Sequence, residues 1–161
     1  MNTQLNDIMT AAEGRYITKG EQTIIREYVG GLERRLHAAD EVQNKERAMS
    51  EKATRAVIDA YPEYERDHDQ AFEKSVRDMT LMLRYAAMAM VKNDKEWLND
   101  AVLLWFATIL RGIGFTRNFV HDTYATLEEA MKSDVSPETF ELMQPYVEHI
   151  RVTLSENLLD G

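Results

Sequence analysis

Residues 14–39 read GRYITKGEQTIIREYVGGLERRLHAA. Within them, Thr18-Lys19-Gly20-Glu21 has the spacing of a capping box, in which hydroxyl and carboxylate each satisfy an orphan backbone N–H. Ile25, Tyr28, Leu32, Leu36 and Ala39 then recur three or four residues apart. That interval places them on one stripe of a 3.6-residue helix. The same interval returns near the other end of the chain in Phe140, Met143, Val147, Ile150 and Leu154. No window alternates apolar and polar residues as a strand does, and the only Asp-Gly hairpin signal is the terminal Asp160-Gly161. Starts and stops are readable between these stripes. Pro62 ends a helix, Asn93 or Asp94 caps one that runs to Gly112 and Gly114, and Ser136-Pro137 opens the last. The pattern predicts helices over 3–13, 19–46, 48–61, 66–92, 95–111, 116–133 and 137–157, with a possible break at Gly30-Gly31. An all-α chain with helices of unequal length and short turns suits a globin-like stack better than an even bundle.

Composition narrows the function. The 161 residues suffice for one domain, expected to span 1–161. With 28 acidic and 19 basic residues the formal charge is −9, which repels a phosphate backbone and argues against nucleic acid as a partner. The absence of Cys removes disulfides, thiolate metal sites, Cys nucleophiles and any thioether to a cofactor. The longest apolar stretch, Ala101 to Leu110, is about half of what a bilayer span needs. The opening MNTQLNDIMTAAEGRY has no signal-peptide pattern, so the expectation is a cytoplasmic protein with no membrane partner.

Three groups of residues carry candidate chemistry. Glu65-Arg66-Asp67-His68 is an E-x-x-H, half of a di-iron ligand set whose second half is missing. A solvated acidic helix start explains it as well. Met79, Met82, Met88, Met90, Trp97, Trp105 and Phe106 form a large soft apolar set that packs a core or walls a flat ligand. Arg77, Asp78 and Arg84 lie inside that region. Two guanidinium groups can clamp ligand carboxylates, and Asp78 can accept from ligand N–H groups. Spacing alone also fits exposed intrahelical ion pairs, the commoner meaning of such a pattern. No dinucleotide, phosphate-loop, nucleophile-elbow or zinc-protease motif is present, and no enzyme is expected.

Residues 14–39 together with 75–94, SVRDMTLMLRYAAMAMVKND, resemble the phycobiliprotein subunits, most closely the allophycocyanin type. Gly114 to Lys132 and Gln144-Pro145-Tyr146-Val147 extend the likeness, with Thr116 where a proline is common. The resemblance implies a globin-like core with an extra N-terminal helical hairpin at about residues 1–30. It also implies a linear tetrapyrrole along the helix that starts near 66, with Arg77 on a propionate, Asp78 on pyrrole N–H groups and Arg84 as the later arginine of the block. Two departures stand out. Ser75 occupies the chromophore-bearing Cys position, and Leu81 and Met82 replace two tyrosines. The loop before the Cys position, Glu63–Glu73, is also shorter. A thioether-linked pigment is therefore excluded.

In these respects the chain is similar to the Cys-less bilin biosynthesis-associated globins. That likeness implies non-covalent binding of haem or of a bilin of the biliverdin or phycocyanobilin type, with Ser75, Met82 and Phe119 beside the ring system. If haem is bound, His68 and His121 are the candidate iron ligands. The implied role is a carrier or sequestering partner in haem-to-bilin metabolism, handing tetrapyrroles to enzymes of haem breakdown or bilin synthesis. A homodimer through the N-terminal hairpin, with Arg15-Tyr16 at the contact, is the simplest closed assembly. The alternative is a structural or regulatory subunit without chromophore, its pocket filled by Met82, Met88 and Trp105.

Overall fold

A computed structural model describes residues 2–158, so Met1 and residues 159–161, including the Asp160-Gly161 pair, lie outside the described residues. The described residues contain helices and no strand. The helices are α1 (Thr3–Ala11), α2 (Lys19–Gly30), α3 (Leu32–Ala60), α4 (Pro62–Asp67), α5 (Ala71–Lys92), α6 (Leu104–Ile113), α7 (Arg117–Asp134) and α8 (Pro137–Glu156), with a π-helical turn at Asn99–Leu103 leading into α6.

The caps form as the residue types dictate. Glu21 N–H donates to the Thr18 hydroxyl at 3.3 Å, and the Glu21 carboxylate accepts from Thr18 N–H at 2.8 Å. Thr116 caps α7 and Ser136 caps α8 by the same hydroxyl chemistry. Gly114, at φ 90°, ends α6 in the left-handed region where a Cβ would be strained. α1 is tied down at its start, because Thr3 N–H and hydroxyl both donate to Asp94 beyond the end of α5, at 3.0 and 2.7 Å.

Two helix boundaries differ from expectation. The break falls at Gly30-Gly31, and α3 then runs unbroken through residues 46–48. That stretch, NKERAMSEK, holds neither Gly nor Pro, and Met49, Ser50 and Ala53 are buried along it, so nothing interrupts the hydrogen-bond ladder. The expected helix at 66–92 instead starts at Ala71. Gln70 turns left-handed at φ 54°, and the preceding residues form the separate short helix α4, with Pro62 in its first turn.

The core is built around α5, which packs on α3 and α8, while α7 packs on the same two helices. Met82, Leu83, Ala86 and Met90 of α5 meet Met49, Leu103, Leu127, Met131, Met143, Ile150 and Leu154 in one buried cluster. Ala53, Ala86, Ala89 and Ala130 let the helices approach closely, and the methionines fill what remains. No helix among the described residues is long and apolar enough to cross a membrane.

Glu41 fastens the α7–α8 corner to α3. Its carboxylate accepts from Lys45 Nζ at 2.8 Å, from Ser136 N–H at 2.9 Å and from the Ser136 hydroxyl at 2.8 Å. Lys45, with the hydroxyls of Thr139 and Ser136, holds its pKa at about 2, below the ordinary 4.5. The folded value is the lower one, so the contribution is complete above about pH 4.5 and is lost as the pH falls towards 2. Glu41→Gln should therefore melt below wild type at pH 6, with the two melting temperatures converging in thermal scans taken down to pH 2.

Candidate functional site

A cleft of about 500 Å³ opens between α4, α5 and α6. From α5 come Lys74, Arg77, Asp78 and Leu81, spaced three, one and three apart and so on one helix face. From α6 come Trp105, Ile109 and Ile113, a stripe repeating every four residues, and these apolar side chains stay 58, 44 and 49 % exposed. The neighbouring stripe, Phe106 and Leu110, is buried. α4 and the turn after it contribute Tyr64, Asp67 and His68.

The charges of the cleft are largely paired within the chain. Arg77 Nε donates to Asp78 Oδ1 at 2.8 Å, and Arg66 holds Asp67 through two bonds of 2.7 and 3.0 Å. Lys74 Nζ donates to the Asp69 carbonyl at 2.7 Å. The Arg77 side chain is 70 % exposed, so its bond to Asp78 is weak, and the pair can separate to meet a ligand carrying both a carboxylate and N–H groups. In such an exchange Arg77 and Lys74 could take the carboxylate, and Asp78 the N–H.

Behind the cleft lies a niche of about 40 Å³. It shares Tyr64, Asp78, Phe106, Leu110 and Phe115 with the cleft and adds Ser75, Phe119, Thr123 and Tyr124. The Tyr64 and Ser75 hydroxyls are 2.8 Å apart and hydrogen-bonded. Above them an aromatic cap forms where α4 meets the α6–α7 turn. Phe119 lies 5.2 Å from Tyr61, 4.9 Å from Tyr64 and 4.8 Å from Phe115, measured between ring centres. His68 lies 5.1 Å from Tyr64 and 5.4 Å from Phe115. Burial pushes the Tyr124 phenol up, and the nearby Asp78 carboxylate pushes it further.

Ser75, Arg77, Asp78, Phe119 and His68 are thus brought to one region, and three other expected residues are not. Arg84 sits about two turns further along α5, where its guanidinium binds Glu46 of α3 through Nε and Nη2. There it lines a different groove with Leu36, Ala39 and Met88, because α3 faces that part of α5. Met82 is fully buried on the core face of α5 and does not line the cleft. His121 lies about 200° around α7 from Phe119 and faces away. Its Nδ1 is 3.1 Å from Asp122, and its Nε2 is 2.9 Å from the Arg151 guanidinium. Met88 is exposed in the other groove and Trp105 forms the cleft wall, so the trio expected to fill the pocket is dispersed. Glu65 is exposed, and among the described residues no three His, Asp or Glu side chains converge as a metal site.

Sequence reasoning missed Tyr64, Lys74 and Tyr124. Tyr64 reaches Ser75 across the turn at Gln70, so no helical period links them. Lys74 shows itself only once the face shared with Arg77 and Asp78 is traced. Tyr124 falls in the interval Val120, Tyr124, Leu127, Met131, which reads as plain core.

The described residues thus form an all-α, globin-like core with a side cleft whose groups can meet both acid and N–H groups. The sequence profile of the phycobilisome protein family matches residues 9–154, and the chain belongs to that family. It is 22 % identical over 143 residues to the allophycocyanin alpha-B chain of Pyropia yezoensis, covering 86 % of this chain and 89 % of that one. Against the allophycocyanin alpha-B chain of Cyanidium caldarium the identity is 23 % over 144 residues, covering 86 % and 88 %.

Proposed function

We propose that this protein is a single globin-like domain that binds a tetrapyrrole, haem or a bilin, non-covalently in the α4–α5–α6 cleft. Its role is to carry or sequester that molecule in haem-to-bilin metabolism, in the cytoplasm, without catalysis of its own. The observation that carries the reading is the open cleft itself. It pairs an exposed apolar wall with Arg77 and Asp78, groups that suit a propionate and pyrrole N–H groups. Its volume of about 500 Å³ lies within the range of small-molecule sites. A hydroxyl at Ser75 and the absence of Cys support non-covalent binding. With haem, His68, which lines the cleft, would be the ligand to the iron, since both nitrogens of His121 already face partners.

The test is an absorption titration of the purified chain with haem, biliverdin and phycocyanobilin. Saturation at one ligand per chain is the expected result. Flat spectra with all three would transfer the assignment to a structural or regulatory subunit without chromophore. Pairing into a homodimer through α1 and α2 is part of the same proposal. Tyr16 is 97 % exposed, Val29 is 59 % exposed, and α2 buries no residue of its own. Light scattering should report twice the chain mass of 18.6 kDa, and a monomer at tens of micromolar would refute the pairing. Enzymes that open haem or reduce bilins are the partners this role calls for.

A further inference from the structure

The niche behind the cleft holds more hydrogen-bonding capacity than the protein uses. Tyr124 is 4 % exposed, and its hydroxyl has no hydrogen-bond partner among the described residues. The Tyr64 and Ser75 hydroxyls share a single bond, so whichever donates, one O–H proton of the pair is left over. Arg77 occupies only Oδ1 of Asp78. Thr123 is already spent, donating to the Phe119 carbonyl at 2.7 Å. Two O–H donors and one carboxylate oxygen therefore surround about 40 Å³, room for one to about three water-sized groups. Burial keeps the Tyr124 phenol protonated, so it acts as a donor at any physiological pH. The Tyr124 hydroxyl has no partner within the described residues and is not sealed off from the niche, so a group from outside the chain can meet it.

The complement of O–H donors beside a carboxylate is a carbonyl oxygen beside an N–H. A lactam edge has that arrangement. Open-chain tetrapyrroles end in lactam rings. Haem is closed, carries no ring carbonyl, and directs its four nitrogens at iron. We infer that Tyr124 is a specificity residue: its hydroxyl, with the spare O–H of the Tyr64–Ser75 pair, donates to the terminal lactam carbonyl of an open-chain tetrapyrrole and so favours a bilin over haem. This rests on the tetrapyrrole reading above and narrows it to one ligand class. Tyr124 lines the niche together with Asp78 and Phe106, where such an edge would lie.

The experiment titrates the full chain, wild type and Tyr124→Phe, with biliverdin and separately with haem. Wild type should bind biliverdin more tightly than haem. Tyr124→Phe should weaken biliverdin about tenfold, the effect of one lost buried hydrogen bond, and change haem binding less than about twofold. The variant should melt no lower than wild type, because the hydroxyl has no partner within the chain. Tyr64→Phe combined with Ser75→Ala removes the second donor from two part-buried positions and should act in the same direction. It carries the test if Tyr124→Phe unfolds. An equal loss for both ligands, no loss for biliverdin, or a wild-type preference for haem overturns the inference while leaving a tetrapyrrole site in place. Wild type that binds neither ligand removes the tetrapyrrole reading and the inference together.

Discussion

Reversing two charges at the cleft, Lys74→Glu with Arg77→Glu, is expected to weaken tetrapyrrole binding at least about 100-fold. In the proposed complex each cation would give a charge-assisted hydrogen bond to a ligand carboxylate, worth about 1.5–3 kcal/mol once the ligand covers it, and each reversal would add repulsion to the loss. Both side chains are exposed, so the fold should hold within about 0.5 kcal/mol. Arg84→Ala provides the internal control. It removes the same kind of group from the same helix, but at the groove where Arg84 is bound by Glu46. Affinity should change there by no more than about twofold. Titrations of the two variants side by side separate the cleft from the Arg84 groove as the place of binding.

Leu83→Ala is expected to cost about 2–5 kcal/mol of unfolding free energy. Leu83 is fully buried on the face of α5 that carries Met79, Met82 and Met90, and α5 is the helix on which both α3 and α8 pack. The nearest small residues on that face, Ala86 and Ala89, cannot expand into the space. The loss is therefore apolar burial together with a cavity that closes only in part. Leu104→Ala, at a leucine 55 % exposed, should cost under about 1 kcal/mol. Urea unfolding of the two variants measures the difference, with the midpoint moving and the slope unchanged.

Helix starts were legible because capping is local chemistry. Thr18, Thr116 and Ser136 each meet the backbone N–H three residues on, and no distant part of the chain decides the matter. The join at 46–48 and the late start of α5 were less legible. In the first, burial of Met49 and Ala53 carries the helix through a polar stretch. In the second, a left-handed Gln70, a residue type with no special preference for that conformation, sets the boundary.

The candidate site divides in the same way. Ser75, Arg77 and Asp78 share one turn of helix, so the resemblance to phycobiliproteins located them together. Arg84 was misplaced because its direction is set by Glu46, 38 residues away in sequence. Met82 belonged to the wrong face of α5 for a ligand contact, a difference that depends on where the core lies. Tyr64 and Tyr124 reach the niche from α4 and α7, and only the packed fold brings them to Ser75 and Asp78.

The central claim is that a tetrapyrrole lies in the cleft walled by Trp105, and the two tryptophans of the chain allow a direct reading of it. Trp105 lines the cleft, while Trp97 packs against Tyr85 and Lys92 elsewhere. Biliverdin added stepwise to 15N-labelled protein, with the two indole N–H signals followed by NMR, reports on both places at once. The account predicts that the Trp105 signal moves and saturates at one equivalent while the Trp97 signal stays close to its starting position. A moving Trp97 signal with a stationary Trp105, or no movement of either, would contradict it.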